Sequence, residues 1–205
     1  MKPQFISMPF WGDLASRQIN YTDILTYFTI KSFGNHAVLT ISEIALKMSA
    51  DEAFVIQSIK RLKLANCLSE TKVMTEKSLY NIEPAIIYVK IPVQLLDCKI
   101  SYEEKAILLF LRYFCDYGSG IAIYRILETK MISFDELFKW IDKLVISGYI
   151  DFHFLSDEYD EENKEAFDPK NETLIYELSS LIKWVFPEDD RSTFEDLFNQ
   201  IKEAA

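Results

Sequence analysis

Histidine is nearly missing from this 205-residue chain: only His36 and His153 occur. There is no H-x-x-x-H pair and no cluster of histidine with cysteine, which argues against a metal site of that kind. Cysteine is equally sparse. Cys67, Cys98 and Cys115 are odd in number and widely spaced, and no C-x-x-C occurs, so neither a disulfide framework nor a zinc ribbon is expected. Each sits among apolar neighbours, the setting of a buried free thiol in a reducing cytosol. The chain has five glycines and no glycine-rich phosphate loop; Gly118-Ser119-Gly120 is too short for one and reads as a turn. Long apolar runs are missing too. The densest, Ala106 to Leu111, is stopped by Arg112 and falls far short of the ~20 residues that span a bilayer. Met1-Lys2-Pro3-Gln4-Phe5 leads into no apolar run of signal-peptide length. Carboxylates are many, but none lies in a recognisable site. The expectation is a soluble, cytoplasmic, non-enzymatic protein with no catalytic residues, no metal, no cofactor and no membrane partner.

The composition is that of a globular chain, 49% apolar and 26% charged, which excludes disordered and low-complexity classes. Its charge is unevenly placed. Residues 1–90 hold ten Lys/Arg and eight Asp/Glu, a balance of +2, whereas residues 91–205 hold twelve and twenty-four, a balance of −12. Half of that excess lies between Ser156 and Glu172, with eight acids against Lys164 and Lys170. Like charges repel and nothing apolar anchors such a run, so it reads as a solvated connection. The asymmetry suggests that the two halves have different tasks.

One pattern is written twice. Phe5-Ile6-Ser7-Met8-Pro9 returns as Tyr88-Val89-Lys90-Ile91-Pro92, two short strands ended by proline. Ile19-Asn20-Tyr21-Thr22-Asp23 returns as Ile100-Ser101-Tyr102-Glu103-Glu104, each with a helix-opening side chain and an acid three residues on. Apolar helices follow, Ile24 to Phe33 and Ala106 to Phe114, each ending in a glycine turn, Gly34-Asn35 and Gly118-Ser119-Gly120. A second helix opens at Thr40 with Glu43 in the first repeat and spans about 121–128 in the second. Ser49-Ala50-Asp51-Glu52 and Ser133-Phe134-Asp135-Glu136 are both S-x-x-E capping boxes before a third helix. Asn66 and Gly148 occupy the same place at its end, where a left-handed cap is wanted. A hairpin completes each repeat: Leu68 to Val73 with Ser78 to Ile82, and Tyr149 to Leu155 with Thr173 to Leu178, the acidic stretch joining the latter two.

Three helices and a two-stranded hairpin make the winged-helix form of the helix-turn-helix. The wording resembles the winged-helix domains of replication initiators and of the DnaD-type primosomal and phage replisome-organiser family. The resemblance is carried by Met8-Pro9, Tyr21-Thr22-Asp23-Ile24-Leu25 and Ile59-Lys60-Arg61-Leu62. In the second repeat it is carried by Ile91-Pro92, Leu95-Leu96, Ser101-Tyr102-Glu103-Glu104, Leu108-Leu109, Ile141-Asp142-Lys143-Leu144 and Gly148-Tyr149-Ile150. It spans about residues 5–82 and 88–178 and implies a fold rather than one activity. The expected fold class is mainly α with small β-hairpins (α+β). It would comprise two tandem winged-helix domains, 1–84 and 85–180, followed by a helical tail, 181–205. In that tail Phe194, Leu197, Phe198 and Ile201 form one apolar stripe behind Ser192 and Glu195.

The duplicated helix–helix–helix–hairpin pattern and the +2/−12 division of charge lead to the expectation of DNA binding by the first repeat, in replication initiation or transcription regulation. On a helix with Ile59 at the centre of its buried face, Val55, Ile56, Leu62 and Asn66 fall on the same side. Phe54, Gln57, Ser58, Lys60 and Arg61 fall away from it. Gln57 and Arg61 have the donor pattern for base edges, Lys60 that for phosphate, and Lys72 and Lys77 of the hairpin would meet adjacent backbone. The candidate DNA-binding set is therefore Gln57, Ser58, Lys60, Arg61, Lys72 and Lys77. The plain alternative is a solvated helix face, and Phe54, Leu64, Asp51 and Glu52 on the same surface speak against a groove.

The second repeat is unlike the DNA-binding relatives. Asp135, Glu136 and Asp142 meet Lys139 and Lys143 beside a hairpin connection of charge −6, a surface that repels phosphate. Asp135, Lys139, Trp140 and Lys143 are the candidate partner-binding residues, with Trp140 as anchor or, alternatively, simply packed on the hairpin. The partners expected are double-stranded DNA for the first repeat and a replication or transcription protein for the second; the tail stripe packs on its own domain or, alternatively, pairs with a second copy in a homodimer. The competing reading is an adaptor or inhibitor that contacts only proteins, with the acidic stretch as a DNA mimic.

Overall fold

The structure, a computed structural model, describes residues 5–9, 11–82, 88–115, 123–154, 174–179, 181–182 and 184. It is a mixed helix-and-strand protein with small antiparallel sheets. Among the described residues no helix is long and apolar enough to cross a membrane. Two compact units are present, Met1–Tyr113 and Phe114–Ala205.

The first unit opens with strand β1 (Phe5–Pro9) and a short helix α1 (Trp11–Ser16), which the sequence reading did not contain. Helix α2 (Tyr21–Ser32) starts where Asn20 predicts: its Oδ1 accepts from the Asp23 N–H at 2.9 Å. Strand β2 (His36–Leu39) follows. It was also missed, although His36 and Val38 are exposed while Ala37 and Leu39 are buried, the two-residue period of a half-buried strand. Helix α3 (Ile41–Met48) has the full capping box, Thr40 N–H to Glu43 Oε2 at 2.7 Å and Glu43 N–H to Thr40 Oγ at 3.0 Å.

Helix α4 (Glu52–Leu64) corrects the sequence reading. Its N-cap is Asp51, which makes no side-chain cap bond, and Ser49 is instead the left-handed C-cap of α3, at φ 63°. The helix ends as expected, with Asn66 left-handed at φ 53°. Strands β3 (Leu68–Lys72) and β4 (Ser78–Ile82) form the hairpin, and β4 also takes β2 on its other side, giving the sheet order β2-β4-β3. Leu39 faces Ser78 and Lys72 faces the same Ser78 from the opposite edge.

Strand β5 (Tyr88–Pro92) pairs antiparallel with β1, so the two opening strands of the repeats pair with each other, Ser7 opposite Lys90. A 3-10 turn (Val93–Asp97) leads to α5 (Tyr102–Phe114), opened by the Ser101–Glu104 box. Residues 105–112 of α5 are all buried. The Phe110 ring lies 5.7 Å from Tyr21 and the Tyr102 ring 4.7 Å from Phe54. The compact units divide after Tyr113, whereas the repeat pattern places its own boundary at 84/85. A repeat boundary follows sequence pattern, whereas a compact unit follows contacts: β5 pairs with β1, and α5 meets Tyr21 and Phe54 through Phe110 and Tyr102.

The second unit contains α6 (Ile123–Glu128), α7 (Phe134–Ile146), β6 (Ile150–Phe154) and β7 (Leu174–Leu178). Ser133 Oγ accepts from the Glu136 N–H at 3.2 Å, and Gly148 is left-handed at φ 74°, both as the sequence predicts. Leu137, Ile141 and Leu144 of α7 are buried together with Ile150 and Ile126. The turn at Gly118-Ser119-Gly120, the acidic connection and the stripe from Phe194 to Ile201 lie outside the described residues.

Candidate nucleic-acid interface

Helix α4 buries Val55, Ser58, Ile59 and Leu62. This i, i+3, i+4, i+7 set centres the buried arc between Ser58 and Ile59 rather than on Ile59. Two predicted placements change as a result. Ser58 is fully buried, its Oγ has no hydrogen-bond partner, and it is withdrawn from the DNA-facing set. Ile56, expected inside, is 39% exposed. The outward surface of the helix carries Ala53, Ile56, Gln57, Lys60, Lys63 and Leu64.

Arg61 is placed differently from the expectation. Its Nε donates to Asp23 Oδ2 at 2.8 Å and an Nη donates to Asp23 Oδ1 at 2.7 Å. Asp23 is 1% exposed. This fork-to-carboxylate pair holds the guanidinium pKa above its ordinary range, chiefly through the hydrogen bond. The fork is therefore occupied and is not presented to a base edge. Lys63 is similarly engaged, its Nζ 2.7 Å from Glu70 Oε2. Glu70 also accepts from Ser78 Oγ at 2.9 Å, and these bonds outweigh its burial and lower its pKa. A sequence pattern gives the outward direction of Arg61 and Lys63 but not the acid that each side chain bends to meet.

What remains of the predicted set is Gln57 and Lys60 on α4 and Lys72 and Lys77 at the two ends of the hairpin turn, all exposed. The turn is closed by Val73 and Met74 N–H groups donating to the Lys77 carbonyl, so the two lysines flank an exposed Val73-Met74 tip. Acids border this surface: Asp51 and Glu52 at the start of α4, and Glu43, which interacts electrostatically with Lys77. Leu64 of α4, which the sequence places on this surface, is 84% exposed, and Leu46 of α3 is 83% exposed.

In the second unit the predicted partner residues fall into one group on α7. Lys139 Nζ lies 5.3 Å and Lys143 Nζ 4.6 Å from the Trp140 ring centre, so both cations rest on the aromatic ring. Trp140 is half-buried and its Nε1 is buried without a hydrogen-bond partner. Asp135 is exposed in the first turn. Sequence reasoning missed Ile146, 86% exposed at the end of the same helix. Its only signal was an apolar residue at a polar helical position. Among the described residues no group of histidine, cysteine and carboxylate side chains could hold a metal ion. No protein-family model, curated protein or solved structure matches the chain.

Proposed function

We propose that this is a DNA-binding protein of the replication-initiation or transcription-regulation type, built on tandem winged-helix units. The first unit contacts double-stranded DNA through α4 and the β3–β4 hairpin, and the second contacts a protein partner through the Lys139–Trp140–Lys143 face of α7. The observation that carries this reading is the order helix, strand, helix, helix, hairpin with the strand closing the sheet as β2-β4-β3. This order supports a winged-helix reading, in which the helix before the hairpin enters the major groove and the hairpin meets the flanking backbone. Gln57 suits a base edge, and Lys60, Lys72 and Lys77 suit phosphates.

A titration of duplex DNA by filter binding at several salt concentrations tests it. Salt-sensitive binding weakened by Lys60→Ala and Lys72→Ala supports the proposal, and no binding even at ~50 mM salt rejects it.

A second reading rests on a specific observation. Arg61 and Lys63 are engaged with acids, while Ile56 and Leu64 are exposed on the same helix. An adaptor that docks proteins through α4 would present such a surface. It gains support if DNA binding is lacking at every salt concentration.

A further inference from the structure

Asp23 and Arg61 sit on different helices, α2 and α4, and meet through two nearly parallel hydrogen bonds of 2.8 and 2.7 Å. The acid is buried, and the arginine side chain remains 44% exposed. Arg61 follows Lys60 directly and lies one helical turn beyond Gln57, so its stem leaves α4 beside the surface assigned to DNA. A carboxylate presents an arginine fork with nearly the acceptor geometry of a phosphate. The pair is formally neutral and recruits no further anion. A phosphate drawing Arg61 away would leave the carboxylate buried and uncompensated, a heavy penalty.

We infer that Asp23 is a positioning residue that withholds Arg61 from DNA. The first unit then meets phosphates with Lys60, Lys72 and Lys77 and without its one arginine on α4. This rests on the DNA-binding reading above and adds to it what limits the affinity of that face.

The test is duplex-DNA affinity measured against salt for the full chain and four variants: Asp23→Asn, Asp23→Asn with Arg61→Ala, Arg61→Gln, and Lys60→Ala. Asp23→Asn removes the charge that holds the fork. It is expected to bind about eightfold tighter at ~0.1 M salt, with a log–log salt slope steeper by about 0.9, the increment of one phosphate contact. Adding Arg61→Ala to it should return both to the wild-type values, which a merely structural role for Asp23 does not explain.

Arg61→Gln keeps a donor toward Asp23 and should leave affinity and slope at wild type. This second arm remains informative if Asp23→Asn fails to fold. Loss of affinity with a shallower slope in Arg61→Gln overturns the inference, as does an unchanged slope in folded Asp23→Asn. In both cases Lys60→Ala still weakens binding, so the DNA reading stands. If wild type and all variants fail to bind, it is the DNA reading that falls, and this inference with it.

Discussion

Lys105 Nζ lies 3.1 Å from Ser49 Oγ and 2.9 Å from the Leu96 carbonyl oxygen, with the lysine 1% exposed. The first bond ties α5 to Ser49, the left-handed C-cap of α3. Burial lowers the pKa of this ammonium group.

That lowering sets a sign for stability against pH. Between the lowered folded value and the ordinary lysine value of about 10.4, the unfolded chain holds a proton that the folded chain has released. Stability from this group therefore rises with pH across that interval, and is least at lower pH, where both states are protonated. Lys105→Met should remove the contribution. Urea unfolding from about pH 8 to about pH 10 should show a smaller upward slope, or a steeper downward one, than wild type; identical slopes would refute the assignment. Tyr80 acts in the opposite direction. Burial, then the nearby Glu70 carboxylate, push its pKa up to about 12, so its contribution is lost as pH rises through about 10 to about 12.

Gly148 and Asn66 hold the same place in the two repeats, both left-handed, at φ 74° and 53°. A Cβ at residue 148 would meet only Leu181 Cδ1 at 3.7 Å, an ordinary contact. The cost of a side chain there is thus one of backbone conformation. Gly148→Ala should destabilise by about 1–2 kcal/mol and Gly148→Asn by less, because asparagine adopts this conformation more readily. Thermal melts that rank Asn below Ala would contradict this.

Ser58 has a buried hydroxyl without a hydrogen-bond partner. Ser58→Ala removes a desolvated polar group and should raise stability by about 1 kcal/mol in denaturant unfolding. DNA affinity should not change, since the side chain faces the core. A clear loss of affinity in the folded variant would return Ser58 to the interface.

Lys60, Lys72 and Lys77 are each expected to contribute one phosphate contact. Single alanine variants should make the log–log salt slope shallower by about 0.9 each, and the triple variant by close to three times that. Gln57→Ala should leave the slope unchanged and alter the preference among DNA sequences, which competition between unrelated duplexes would reveal. Lys63→Ala should change little, because Glu70 already neutralises that cation.

Helix openings and closings were legible in the sequence because they depend on neighbours within four residues. Asn20, Thr40 with Glu43, Ser101 with Glu104, Ser133, Asn66 and Gly148 all act as their local chemistry dictates. Hairpin strands were legible for the same reason. The short strand β2 was overlooked, since four residues after a glycine turn resemble a loop until a partner strand is known. Ser49 was misassigned because two helix ends meet there and the S-x-x-E spacing fits only one of them.

The sequence by itself determined the duplicated order of elements, the left-handed caps and the uneven charge, since each follows from spacing and residue type along the chain. Only the tertiary structure decided that β5 and α5 join the first unit, that Ser58 turns inward, and that Arg61 and Lys63 are engaged by Asp23 and Glu70. Those outcomes depend on residues far apart in sequence being brought within hydrogen-bonding or packing distance, and a buried carboxylate takes the nearest guanidinium whatever its helical position suggests.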